Sequence, residues 1–357
     1  SGARGNNAFY TIFNMPTTID IRDFSSPVKD EFGEMIWWSK GGINPYWSKD
    51  YNPNKDSRNR FLMNGSLKYK FTDWLDAEIK AGSDMYFTEG EEKLYAGSPT
   101  NNKNSRYSTS EKKFFENNFS FLISGHKDEL FGKFGGNFSF GGNLMERKST
   151  GLDNAMGKLT APDLFSLANG DKKDLSITET YIHKKINSLY GTLGINYNGW
   201  AFLDATFRND WSSALNKENR SFFYPSVSLS WVISDMVGKV GMPEWFTYAK
   251  ARASFAQVGN DMDAYQLYNT YSIGSDPNGN TTAGQGKTKY DADVRSELIT
   301  SWEAGAELKF FNNRLGVDFA WYKTNAKRQL MNIPLNNLSG YDNMKVNAGN
   351  IQNTGIE

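Results

Sequence analysis

The chain has 357 residues, 40 basic and 40 acidic side chains, no cysteine and two histidines. Zero net charge leaves no electrostatic footprint for nucleic acid, and the missing cysteines exclude disulfide frameworks and thiolate metal sites. Aromatics reach 15% while mean hydropathy is −0.62, and no run approaches the ~18 apolar residues of a membrane helix.

Residues 1–59 mix Gly, Asn, Pro and aromatics without a period, as in Gly41-Gly42-Ile43-Asn44-Pro45-Tyr46-Trp47. A disordered linker would be poor in rings, so this reads as a long ordered loop. Alternation begins at Phe61. Phe61, Met63, Gly65, Leu67 and Tyr69 share one face and Asn64, Ser66, Lys68 and Lys70 the other. After a turn at Thr72-Asp73, Leu75, Ala77, Ile79 and Ala81 alternate with Asp76, Glu78 and Lys80. A polar stretch, 86–112, precedes Phe115, Phe119, Phe121 and Ile123. A turn expected at Gly125 to Glu129 contains His126 and leads into Phe134, Phe138 and Phe140. Residues 143–187 read as a second insertion, with one helical turn expected over 161–167.

The clearest hairpin follows. Leu189, Leu193, Ile195 and Tyr197 share a face, Asn198-Gly199 forms the turn, and Ala201, Leu203, Ala205 and Phe207 continue that face. An Asn-Gly pair suits the positive φ that a type I′ turn needs at both central positions. Past a connection at 211–222, Pro225, Val227, Leu229 and Trp231 alternate with serines. Ala249, Ala251, Ala253 and Phe255 then alternate with Lys250, Arg252 and Ser254. A third insertion, 257–299, precedes the hairpin of Trp302, Ala304, Ala306, Leu308 and Phe310 with Leu315, Val317, Phe319 and Trp321 around a turn at 311–314.

The connections sort by length. One set is mostly tight (72–74, 125–130, 197–199 and 311–314, with the longer 234–246) and the other is long. Outer-membrane barrels pair short periplasmic turns with long external loops, and strands of ~10 residues suffice to cross a bilayer. Ten strands with bare aromatic faces would aggregate unless the sheet closes and lipid covers it. The expected fold is therefore all-β, a transmembrane antiparallel β-barrel with long extracellular loops. Its organisation is a loop region at 1–59 and barrel strands over 60–357, in the bacterial outer membrane.

A series of short motifs carries a family likeness: Met15-Pro16-Thr17-Thr18-Ile19-Asp20, Asn44-Pro45-Tyr46-Trp47, Asp73-Trp74-Leu75, Ala205-Thr206-Phe207-Arg208-Asn209-Asp210-Trp211-Ser212-Ser213, Phe223-Tyr224-Pro225-Ser226, Ala253-Ser254-Phe255-Ala256-Gln257-Val258-Gly259-Asn260, Ser301-Trp302-Glu303-Ala304-Gly305, and Asn347-Ala348-Gly349-Asn350 through Gly355-Ile356-Glu357. In this order and spacing the chain resembles the SusC/RagA class of TonB-dependent outer-membrane transporters. It departs from the family at Trp211, where a glycine is usual. The resemblance implies a barrel of about 22 strands with a plugged lumen, of which this chain supplies about ten and the start of another. The plug, the TonB-contacting segment and the closing strands would lie elsewhere in a longer protein. It also implies active import of a glycan, or of an oligopeptide, with a SusD-like surface lipoprotein as lid and TonB, ExbB and ExbD as the energy source.

No cofactor and no metal is expected, and no covalent chemistry. Loop rings that could grip a sugar face are Trp37, Trp38, Trp47, Trp211, Tyr265, Tyr268 and Tyr271. Asp204, Arg208 and Asp210 are expected to line the lumen. Glu303 and Glu307 share a strand face, but glycoside hydrolysis needs carboxyls on opposite sides of the scissile bond, so the chain is not read as an enzyme. An adhesin or scaffold binding partner proteins through its loops is the alternative function.

Overall fold

The alternation written into the sequence is realised as long strands. The computed structural model describes residues 8–39, 42–97, 104–238, 241–276 and 278–357. Its strands are β1 (Asn54–Lys70), β2 (Leu75–Leu94), β3 (Arg106–Phe131), β4 (Phe134–Met156), β5 (Leu175–Tyr197), β6 (Ala201–Ser212), β7 (Ser221–Val232), β8 (Phe246–Asn260), β9 (Tyr271–Ser275), β10 (Thr281–Gln285), β11 (Thr288–Tyr290), β12 (Glu297–Phe310), β13 (Leu315–Pro334) and β14 (Asn343–Ile356). Three short helices, α1 (Ala8–Phe13), α2 (Pro45–Tyr51) and α3 (Ile233–Val237), accompany them. Sheet order follows the chain from β1 to β8, then β12, β13, β14 and β11, while β9 and β10 form a separate hairpin. Among the described residues no helix is long and apolar enough to cross a membrane.

By packing the chain divides into two units. The first takes in 1–62, 84–115 and 148–182, and the second 63–83, 116–147 and 183–357.

The first unit holds the N-terminal segment and the far lengths of β1 to β5. β2, β3, β4 and β5 run for 20, 26, 23 and 23 residues, about twice what a bilayer demands. The stretches expected as insertions at 86–112 and 143–187 are therefore largely strand, and β1 begins already at Asn54. Polar cross-strand pairs hold these lengths where apolar alternation has stopped. Arg60 forks onto Asp84 at 2.8 and 2.7 Å, Arg58 donates to Thr88 at 2.9 Å, and Tyr107 donates to Glu91 at 2.9 Å. The N-terminal segment has its own small core. Asn44, fully buried, caps α2 by accepting from the Tyr46 amide at 2.9 Å and donates to the carbonyls of Phe24 and Ile36. Pro45 supplies the preset φ of a first helical position, and Ile43 and Trp47 fill the space beneath. Residues 161–167 form a turn around Asp163 at positive φ rather than a helical turn.

In the second unit the hairpin 189–208 has the register that alternation dictates. Tyr197 opposes Ala201, Leu193 opposes Ala205, and Asn198 and Gly199 both have positive φ. The β3–β4 turn differs from expectation. It falls at Gly132-Lys133, with Gly132 at φ +59°, and His126 lies inside β3 with its amide bonded to the Trp74 carbonyl at 2.9 Å. The C-terminal stretch forms the strand β14, paired along β13 from Trp321 to Pro334.

The rows of this sheet have opposite characters on its two sides. On one, Leu193, Ala205, Val227 and Phe255 stand in register, as do Leu203, Leu229, Ala253, Ala304 and Trp321. Leu193, Leu229 and Trp302 are each half-exposed, so no protein layer among the described residues covers these rows. At the loop base of this unit, Ala214, Leu215, Met262, Leu267 and Val294 are buried together against Phe222 and Leu330.

Candidate functional site

The other side of the same sheet is polar. One row runs Asp204, Ser228, Ser254, Glu303 and Tyr322, and the next runs Thr192, Thr206, Ser226, Ala256, Ser301 and Thr324. Small hydroxyls bridge the strands. Thr206 and Ser226 lie 2.6 Å apart, Ser139 and Thr192 2.7 Å, and Ser301 and Thr324 3.1 Å. Several charges on this side are paired. Arg252 reaches Asp318 at 2.9 Å and Glu303 at 3.4 Å, and Lys309 meets Glu307 at 3.0 Å. Glu303 and Glu307 thus each serve an ion pair on one wall.

Arg208 is the centre of the strongest cluster. Its Nε donates to Asp210 at 2.8 Å and to the Tyr224 hydroxyl at 3.0 Å. Its Nη2 donates to Ser188 at 2.9 Å, and its guanidinium lies 5.7 Å from the centre of the Tyr190 ring. Tyr224 donates to the second oxygen of Asp210. Asp210 is buried at 7% exposure, yet every charge has a partner, which is the condition under which a buried ion is tolerated. Ser188 and Tyr224 were not singled out from the sequence, although their parity puts them beside Arg208. Asp204 stands on the same side and, among the described residues, has no ion-pair partner. One step further along, Lys184 joins Asp261 at 2.8 Å and the Met262 carbonyl at 2.9 Å, while Ser212 donates to the other oxygen of Asp261. This knot ties the middle of β5 and the end of β6 to the loop after β8.

The candidate aromatic residues fall in different settings. Trp47 is 1% exposed and stacks on Tyr51 at 4.5 Å, so its ring packs its own loop and is not available to a ligand. Trp211 also departs from expectation. β6 runs on to Ser212, and strand alternation sends Trp211 away from Asp210 to the side of Phe207 and Leu203, opposite Asn187 and Ser221. A ring there does not reach the polar side. In the first unit, Trp37 meets Phe24 edge-on at 5.0 Å with the partly exposed Trp38 beside it at 6.3 Å. In the second, Tyr265, Tyr268 and Tyr271 are all strongly exposed and make no ring contact among the described residues.

No group of acidic residues and histidines among the described residues has the arrangement to hold a metal ion. The polar side presents hydroxyls and paired charges that can hydrogen-bond a hydrated solute.

Comparison with known proteins fits this two-sided sheet. Residues 4–357 match the family model described as TonB dependent receptor-like, beta-barrel. TonB-dependent receptor SusC of Bacteroides thetaiotaomicron is 24% identical over 350 residues, covering 89% of this chain and 33% of that protein. TonB-dependent receptor P26 of Formosa agariphila is 26% identical over 220 residues, covering 60% of this chain and 21% of that protein. The chain therefore spans a fifth to a third of these relatives' length. Among solved structures, the RagAB peptide importer in its closed-closed state superposes with a TM-score of 0.79 at 18% identity, covering 92% of this chain and 37% of that one. Its open-open state gives 0.76. The likeness to the SusC/RagA class and the barrel fold expected from the sequence are both met. With a family model matched along nearly its whole length, the chain belongs to the TonB-dependent receptor-like β-barrel family.

Proposed function

We propose that this chain is part of the wall of an outer-membrane barrel that imports a large nutrient by TonB-dependent transport. The observation that carries the reading is the division of one sheet into an apolar, uncovered side suited to lipid and a hydrogen-bonded polar side suited to a wet lumen, in a chain of this family. Asp204, Arg208 and Asp210 then face the lumen. Arg208 and Asp210 stiffen the wall through their mutual pairing, and Asp204 is the charge free to meet a solute or a plug. A SusD-like lipoprotein is the proposed lid, and TonB with ExbB and ExbD the proposed energy source, acting through parts of the protein outside this chain.

The proposed substrate is a glycan. The exposed rings of Trp38, Tyr265, Tyr268 and Tyr271, with Trp37 behind Trp38, suit sugar faces. An oligopeptide is the second reading, favoured by the fold shared with a peptide importer. The adhesin or scaffold reading makes the loops the functional end and needs no conduit. Uptake of labelled oligosaccharides and oligopeptides by cells carrying the full-length protein, with and without an intact TonB system, separates the three. TonB-dependent uptake of one class supports import and names the substrate. Binding without uptake in either background contradicts it.

A further inference from the structure

Trp211 has no part in the polar side, and its surroundings point to a ligand of another kind. It forms one wall of a groove of about 520 Å³ on the apolar side, with Phe119, Leu144 and Leu189 as further walls. Gly142 forms the floor: a Cβ there would come within 2.7 Å of the Phe121 ring and 3.1 Å of Leu189. The rest of the lining is polar: two cations, Lys185 and Arg220, with Asn143, Asn187 and three serines, and no acid. Lys185 is shared with Glu146 at 3.0 Å, which also meets His183 at 2.7 Å. Arg220 has no ion-pair partner among the described residues.

The groove sits where this side of the sheet changes character. Along β5 the residues facing it pass from Leu193 and Leu189 to Asn187, Lys185 and His183. Along β4 they pass from Phe138 and Phe140 to Leu144 and Glu146. An indole at such a boundary, with basic side chains just beyond it, is the arrangement that places a ring at headgroup level and a cation on phosphate. A second groove of about 840 Å³ continues from it, sharing Phe119, Leu144, Lys185 and Asn187; it adds Met63, Gly65, Ala81 and Met145, several asparagines, and one acid, Glu146, which is engaged by Lys185 and His183. There is thus apolar length for more than one chain.

We propose that this trough seats an acylated membrane lipid that carries a phosphomonoester. The phosphate lies on Arg220 and Lys185, and the acyl chains run past Trp211, Leu189, Leu144 and Phe119. The inference rests on the reading that the apolar side meets lipid, and its test separates the two. Full-length protein is placed in nanodiscs of phosphatidylcholine doped with monophosphorylated lipid A or its dephosphorylated form, and retained lipid is counted by native mass spectrometry. The phosphorylated form should be retained about fivefold better for each basic residue engaged. Arg220→Glu should abolish that preference while leaving the heat-modifiable gel shift of the folded barrel intact, and inorganic phosphate alone should not displace the lipid. Equal retention of both lipids, a preference that survives Arg220→Glu, or displacement by phosphate alone would overturn the proposal. Quenching by brominated acyl chains, compared between the parent and Trp211→Phe, tests the underlying placement. Quenching of Trp211 without lipid preference removes only this inference, whereas no quenching removes the lipid-facing side as well.

Discussion

Replacing Val227 by arginine puts a charge at the centre of the side proposed to meet lipid. Val227 lies midway along β7 between Phe223 and Trp231 and stands in register with Ala205 and Phe255, both on the apolar side. At a rise of about 3.3 Å per residue and a tilt near 40°, each end of that stretch is about 10 Å away along the membrane normal. This places Val227 close to the middle of a ~25 Å apolar band. An arginine there should cost about 2–4 kcal/mol, and Phe223→Arg near the boundary about 0–1 kcal/mol. Ser228→Arg, one residue along, points to the other side next to Asp204 and Ser254 and should stay within about 1 kcal/mol of the parent. Equilibrium unfolding of the full-length protein from lipid vesicles by guanidinium, followed by tryptophan emission, reads all three. A cost for Val227→Arg no larger than for Ser228→Arg would refute the assignment of sides.

Other consequences are local. Asn44→Ala removes the α2 cap and strips donors from the Phe24 and Ile36 carbonyls in a fully buried site, a loss of about 2–4 kcal/mol of local stability. Hydrogen exchange over 20–51 should report it, and unchanged protection there would contradict it. Tyr224→Phe leaves the buried Asp210 with Arg208 alone and should cost about 1–3 kcal/mol, seen as a lowered denaturation midpoint with an unchanged slope. Beyond the apolar-faced lengths, hydrogen bonds from Lys93 and then Tyr107 hold the Glu91 carboxyl below its ordinary value of 4.5. Its folded-state value being depressed, the contribution is present above pH 4.5 and is lost as pH falls through the folded value. Protection factors, the intrinsic exchange rate at each pH divided by the observed one, at the β2 and β3 positions around Glu91 and Tyr107 should fall on acidification in the parent and stay constant over that window in Glu91→Gln.

The hairpin from Leu189 to Phe207 was legible to the residue because apolar and polar positions alternate without a break and Asn198-Gly199 fixes the register. β2 to β5 were read too short for the complementary reason. Beyond about Asp84 and Arg147 charged and small polar residues interrupt the apolar face, and period-two alternation carries only a weak hydropathy signal there. Cross-strand pairs such as Arg60 with Asp84, which hold those lengths together, join residues far apart in sequence. The run His126-Lys127-Asp128-Glu129 imitates a turn by its charge, while the real turn at Gly132-Lys133 needs only two residues. Trp211 looks like a loop residue because Asn209-Asp210 imitates a strand end; β6 runs on to Ser212, and parity alone then assigns the ring to the opposite side. Trp47 shows that an aromatic in a long loop first serves that loop's own packing, a fact of tertiary contact that composition does not carry. The Arg208 cluster was half visible, since alternation aligns Arg208 with Asp210 but pairing across β7 was needed to bring in Tyr224.

The two-sided sheet is tested most directly by nitroxide scanning along β6, with any cysteine outside these 357 residues, which hold none, replaced by serine. Single cysteines from Leu203 to Arg208 in the full-length protein, labelled and reconstituted into bilayers, are read by power saturation with oxygen and with a water-soluble nickel chelate. Labels at positions 203, 205 and 207 should be accessible to oxygen, and those at 204, 206 and 208 to nickel, in strict alternation. Labels at 203, 205 and 207 shielded from both reagents would mean that protein and not lipid covers that side, and would contradict the account.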